Sequence, residues 1–174
     1  MSITICKVLP EEAYEYTVCH TACWRSAYKG IITDEYLDNM LAEQEQRTES
    51  CRQALNEPGD YEFYCAKLGK EMIGRLVICK SRNSDKPAAG EIAAIYLLEE
   101  FWDKGYGRHM MNYALNRLKS MEYREVIVWV LEENYRAIHF YEKCGFIFDG
   151  SKNEIEIGKP LVVIRYSLNI LFNA

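Results

Sequence analysis

Residues 99 to 110 read EEFWDKGYGRHM, with two glycines two positions apart and a base on either side of them. Gly105 and Gly107 remove side chains where an amphipathic pattern begins, so backbone can approach a ligand closely there. The first N–H groups of a helix lack intrahelical acceptors and sit at the positive end of its dipole, which suits an anion. Lys104, Tyr106 and Arg108 complete the stretch, and the two bases add local positive charge. The chemistry on offer is capture of a phosphate or pyrophosphate, against the plainer reading of a glycine-bearing turn from strand to helix. A dinucleotide fingerprint, G-x-G-x-x-G, fails because its third glycine position is Met110, and G-x-x-x-x-G-K-[ST] does not occur.

A second stretch, LEENYRAIHFYEKCGF from Leu131 to Phe146, holds Asn134 and Tyr141. Asn134 stands where an N-cap belongs. Tyr141 follows two helical turns later on about the same face, either packed against a sheet or presenting a phenol to a site. Trp24 and Tyr28, four apart on one helical face, could wall a pocket or fill a core. Glu91 opens an apolar run and is either a strand-end carboxylate paired with a base or a proton acceptor.

The elements that must position these residues follow from periodicity. Ile3 to Val8 alternates as a short strand, and Pro10 with Glu11 and Glu12 starts a helix that runs to about Lys29. Helices are predicted over Asp34 to Leu41 and Gln44 to Leu55. Tyr61 to Leu68 and Glu71 to Lys80 form a hairpin about Gly69 and Lys70. Glu91 to Leu98 and Arg124 to Leu131 are nearly continuous apolar runs, as in strands covered on both faces. Between them, Met110, Met111, Ala114, Leu115, Leu118 and Met121 mark an amphipathic helix over Gly107 to Met121. Tyr135 to Lys143 is a short helix closed by Gly145, and Phe146 to Asp149 and Leu161 to Leu168 are further strands. This order requires an α/β or α+β protein, a mixed central sheet of about six to seven strands with helices on both faces. No linker or repeat divides residues 1 to 174, which are read as one domain.

Composition narrows the function classes. The 174 residues carry a formal charge of −5, which excludes bulk electrostatic binding of nucleic acid and leaves room for a local anion site. Apolar runs are too short for a membrane span, and no secretory leader is apparent. Seven irregularly spaced cysteines fit a reduced, cytoplasmic protein. Cys19, His20 and Cys23 do not make a metal site, since His20 points about 100° away from the cysteine face, and no metal is expected.

The sequence resembles the GCN5-related N-acetyltransferase (GNAT) superfamily over nearly its whole length. Glu91 to Met121 is similar to that family's acetyl-coenzyme A motif, with Trp102 where Arg or Gln is usual, so the pyrophosphate should rest mainly on backbone amides. Leu131 to Phe146 is similar to the family pattern N-x-x-A-x-x-F-Y-x-x-x-G-F, through Asn134, Ala137, Phe140, Tyr141, Gly145 and Phe146. The resemblance implies transfer of an acetyl group from acetyl-coenzyme A to an amine of a small molecule or peptide. It implies that Asn134 bonds the pantetheine arm or helps orient the acceptor, that Ala137 belongs to the cofactor site, that Tyr96 and Leu97 hold acetyl and pantetheine through main-chain bonds, and that Tyr141 protonates the departing thiolate. Glu91 matches the position of a general base in some relatives, and Trp24 and Tyr28 fall where acceptors bind. Family members often dimerise, so a homodimer is admitted. A non-catalytic acyl-coenzyme A sensing module with the same fold is the alternative. The acidic surface points toward a cationic or amine-bearing acceptor.

Overall fold

The computed structural model describes residues 3–170. Seven strands, β1 (Thr4–Lys7), β2 (Tyr61–Leu68), β3 (Glu71–Lys80), β4 (Gly90–Leu97), β5 (Glu125–Leu131), β6 (Ile147–Glu156) and β7 (Pro160–Asn169), alternate with five helices. These are α1 (Ala13–Ala27), α2 (Asp34–Ala42), α3 (Gln44–Asn56), α4 (Tyr106–Ser120) and α5 (Tyr135–Lys143). The strands form one sheet in the order β1-β2-β3-β4-β5-β7-β6. The β4–β5 pair is parallel, and every other neighbouring pair is antiparallel.

Helical periodicity decides which faces are covered. Met110, Met111, Ala114 and Leu118 of α4 are buried and join Ile73, Leu76, Ile78, Ile92, Val126 and Val128 in the main core. Helix α5 adds Tyr141 to the same cluster. The opposite face is covered by α1, whose Tyr16, Cys19 and Cys23 meet Cys65 and Met72. Helix α2 closes that side against β5 and β7, with Leu37 and Met40 beside Leu131 and Leu161. No helix of the described residues is long and apolar enough to cross a membrane.

The break in the antiparallel pattern makes the site. Strands β4 and β5 pair only at Gly90↔Val126 and Glu91↔Ile127. Beyond that closed end they diverge, and the unpaired edges of a V open between them. Strand β6 departs from expectation by running to Glu156 rather than stopping at Asp149. It is the exposed edge of the sheet, its polar residues show no buried alternation, and its register to β7 shifts between Phe148 and Lys152.

Candidate functional site

The V is the mouth of a cavity of about 690 Å³. Its floor is Ile92 to Leu97 of β4 with Val128 to Val130 of β5, its rim is Trp102, Asp103, Gly105, Gly107 and Arg108, and α5 supplies residues between Tyr135 and Lys143. Ala27 and Tyr28 border the α1 side.

At the rim, Gly105 has φ +83 and serves as the N-cap of α4 without a side-chain hydrogen bond. That left-handed conformation costs an L-residue ~1 to 2 kcal/mol. The first α4 amide to find a backbone acceptor is His109, which bonds Gly105 O at 3.1 Å. The N–H groups of Tyr106, Gly107 and Arg108 therefore remain for a ligand. Gly107 keeps this cradle open, since a Cβ there would stand 3.3 Å from the Phe140 ring. Arg108 donates to Lys143 O at 2.6 Å, which ties the start of α4 to the end of α5. Three cations, Arg108, Arg136 and Lys143, face one carboxylate, Asp103, around the cavity.

Trp102 stands where a phosphate-binding side chain would be, and it does something else. Its indole donates to Leu97 O at 2.8 Å, and Arg136 lies 4.1 Å above its ring while pairing with Asp103 at 2.9 Å. The end of β4 and the loop are thereby clamped to α5. Leu98 N donates to Ile73 O, and antiparallel bonds alternate along the Arg75↔Tyr96, Gly74↔Leu97 register. Main-chain groups of Tyr96 are thus committed to β3, whereas the N–H groups of Ile95 and Leu97 turn toward the cavity. Tyr96 itself lines the cavity, its hydroxyl bonded to that of Tyr28.

Asn134 is 7% exposed and caps α5 by accepting from Ala137 N at 3.1 Å. Its amide nitrogen has no protein partner among the described residues, so one side chain serves helix entry and leaves donors for the cavity. Ala137 lines the same wall. Tyr141 is buried with its ring against Phe140 and Phe146. Its hydroxyl has no hydrogen-bond partner among the described residues, and burial, then the nearby Tyr96, hold its pKa well above that of an ordinary phenol. Tyr28 and Tyr96 share a hydroxyl hydrogen bond of 2.9 Å, and burial raises both pKa values.

Four expected site side chains lie elsewhere. Glu91 is 1% exposed, at the closed end of the V, and is held by the Arg82 side chain and by Arg82 N at 3.1 Å. Six residues of extended chain, about 20 Å, separate it from Leu97, too far for it to act as base there. Lys104 does not line the cavity; its ammonium sits 5.5 Å over the Phe101 ring. Tyr106 turns its ring to Phe101 as well, so both contribute from the back of the loop. Trp24 stands behind Tyr28 in an aromatic cluster with Tyr36, Tyr96 and His20.

Arg136, His139 and Lys143 were not anticipated. They follow Asn134 at positions 2, 5 and 9, and only the docking of α5 over the loop reveals that this polar face meets the cradle. Among the described residues, no group of three or more His, Cys, Asp or Glu side chains is arranged to hold a metal.

The sequence matches the acetyltransferase (GNAT) family over residues 22–146. It is 28% identical over 149 residues to a probable N-acetyltransferase of Mycobacterium tuberculosis, an alignment covering 86% of this chain and 82% of that protein. A spermidine N(1)-acetyltransferase of Thermoplasma acidophilum is 23% identical over 148 residues, 84% of this chain and 89% of the other. The fold matches the crystal structure of PaiA N-acetyltransferase from Thermoplasma acidophilum in complex with coenzyme A, with a TM-score of 0.76, 20% identity, and coverage of 97% of this chain and 99% of that one.

Proposed function

The chain belongs to the acetyltransferase (GNAT) family, and from that premise we propose that it transfers an acetyl group from acetyl-coenzyme A to an amine by direct attack through a tetrahedral intermediate. The observation that carries this reading is the V between β4 and β5, which opens beside a side-chain-free cradle and leads to a buried, unpartnered phenol.

The residues present fit the donor. The amides of Tyr106, Gly107 and Arg108 would take the pyrophosphate, with Arg108, Arg136 and Lys143 supplying the countercharge. The pantetheine would add to the free edge of β4 as an extra strand does, through Ile95 and Leu97, with Asn134 opposite. In that pose the Leu97 N–H stands ready for the thioester oxygen, and a preorganised donor there stabilises the charge that develops as the amine attacks. Bound acetyl-coenzyme A supplies the activated thioester. The C–N bond forms, the C–S bond breaks, and Tyr141 gives its proton to the departing sulfur. Burial keeps Tyr141 protonated across the working pH range, and the same dry surroundings make the thiolate a better proton acceptor.

With Glu91 remote, Asp103 at the rim is the only carboxylate among the described residues lining the cavity, and the raised pKa values of Tyr28 and Tyr96 make them poor bases. The amine therefore reacts as the neutral form, releasing its proton to solvent. The relative named for spermidine supports an amine acceptor. Release of free thiol from acetyl-coenzyme A, followed against amino acids, peptides, polyamines and aminoglycosides, tests the reading. Turnover with an amine is expected. Tight coenzyme A binding with no turnover on any acceptor would replace it with an acyl-coenzyme A binding module.

A further inference from the structure

The cavity keeps its charges apart from its aromatic groups. The charged side chains that line it, Asp103, Arg108, Arg136 and Lys143, belong to the loop before α4 and to α4 and α5. The end beneath α1 and α2 is lined instead by Ala27, Tyr28, Ala94, Tyr96 and Trp129. Strand alternation places them there. Tyr96 packs in the cluster under α1, and Ala94, two residues earlier on β4, shares its face. Trp129 stands two residues before Leu131 on β5, on the face where Leu131 packs with Tyr28 and with Leu37 and Met40 of α2. Among the described residues, no carboxylate, ammonium or guanidinium lines this end.

The polar tips at the same end already have protein partners. Tyr28 and Tyr96 bond each other through their hydroxyls at 2.9 Å, and the Trp129 indole donates to Asn83 Oδ1 at 3.2 Å. Trp129 also has a cation beside it. Arg165, opposite it in the β5–β7 register, brings its guanidinium to 5.4 Å from the ring centre and is itself held by Asp149 at 2.6 Å and Asp85 at 2.9 Å. Arg165 does not line the cavity, so its balanced charge stays behind the indole. What Tyr28, Tyr96 and Trp129 leave for a ligand is carbon surface. In the acetyl-transfer reading, the unpartnered Tyr141 hydroxyl and Asn134 amide serve the departing sulfur and the pantetheine.

We infer that the acceptor is a monoamine carried on an apolar body, an alkyl chain or an aromatic ring, and that Trp129 selects it. The inference rests on the acetyl-transfer reading and names its acceptor class. The body would lie against Trp129 and Tyr28 with its nitrogen turned toward the thioester, and removal of apolar surface from water drives its binding. A second ammonium brought to this end would lose its hydration and meet no carboxylate. An aromatic face can attract a cation, but at Trp129 that role is taken by Arg165. Asn83 and Arg165 hold the indole in place, so the wall is preformed before the acceptor arrives.

The test uses the intact protein with acetyl-coenzyme A and pairs of amines of matched length: butylamine against putrescine, which adds a second ammonium, and 2-phenylethylamine against ethanolamine, with spermidine as a further polycation. The expected result is a kcat/KM for butylamine and 2-phenylethylamine ~10- to 200-fold above that of their polar counterparts, the range over which an apolar pocket discriminates a methylene group. Trp129→Ala should collapse that ratio toward one, and Trp129→Phe should keep most of it. The wild-type series alone decides the acceptor class if the Trp129 variants fail to fold. Putrescine or spermidine used as well as butylamine, or a Trp129→Ala ratio equal to that of the wild type, overturns the inference and leaves acetyl transfer intact. If no amine is acetylated, the acetyl-transfer reading fails, and calorimetry of 2-phenylethylamine and spermidine against coenzyme A-loaded protein decides the apolar pocket. Tighter binding of 2-phenylethylamine sustains it; equal or tighter binding of spermidine, or binding of neither, ends it.

Discussion

Tyr141→Phe separates chemistry from architecture more cleanly than any other substitution. The Tyr141 ring packs against Phe140 and Phe146 at centroid distances of 5.6 and 5.9 Å, contacts that phenylalanine keeps. Tyr141 lines the cavity and its hydroxyl makes no hydrogen bond to the described residues, so deleting it removes no fold interaction. Thermal stability should therefore stay level. Loss of a positioned acid costs ~10² to 10⁴ in rate, equivalent to about 3 to 5.5 kcal/mol of transition-state stabilisation. Turnover is read by release of free thiol at saturating acetyl-coenzyme A, and coenzyme A affinity by calorimetry. The expected pattern is a collapse of kcat with affinity within about threefold of wild type, a margin below ~0.7 kcal/mol. A variant that turns over within twofold of wild type would refute the assignment and pass the proton to water.

Gly107→Val places a branched side chain where even a Cβ stands 3.3 Å from Phe140; coenzyme A affinity should fall at least about tenfold, ~1.4 kcal/mol, and calorimetry showing wild-type affinity would remove the cradle from the site. Glu91→Gln breaks the pair with Arg82 at the closed end of the V and should lower the melting temperature while kcat of the folded fraction holds; a kcat loss above about tenfold would return Glu91 to the chemistry. Glu62 is bonded by Arg117 Nε at 2.8 Å, and that bond, helped by Tyr64, holds its pKa down to about 2. A lowered carboxylate pKa stabilises the fold above the unfolded value, near 4.5, and the contribution is lost as pH falls from there toward 2. Melting temperature should drop through that window, and Glu62→Gln should flatten the drop in acid scans.

Much of the fold was legible because the informative runs are buried on both sides. Met110, Met111, Ala114 and Leu118 announce α4 by spacing, and the hairpin at Gly69 and Lys70 falls where two β-rich runs meet. The extent of β6 was not legible, because an exposed edge strand has no apolar alternation to display. At the site, Gly105, Gly107, Asn134 and Tyr141 were visible as local patterns. The failure at Glu91 has a different origin: a carboxylate that opens a buried strand reads the same whether its end of the sheet is open or closed, and only the two-position β4–β5 pairing settles which. The Lys104 and Tyr106 side chains turn away from the cavity for a similar reason. Sequence places them in the loop, but the left-handed turn at Gly105 decides which loop side chains face inward.

Net charge gave the least specific expectation, a preference for a cationic or amine-bearing acceptor. The −5 total is spread over carboxylates that are largely exposed or already paired, such as Glu62 with Arg117 and Glu12 with Lys67. Around the cavity the balance is positive: Arg108 and Lys143 stand beside the Arg136–Asp103 pair. Field in a low-dielectric cleft is set by its nearest charges, since solvent screens distant ones within ~8 to 10 Å. An acidic protein can thus present a locally positive rim to an anion.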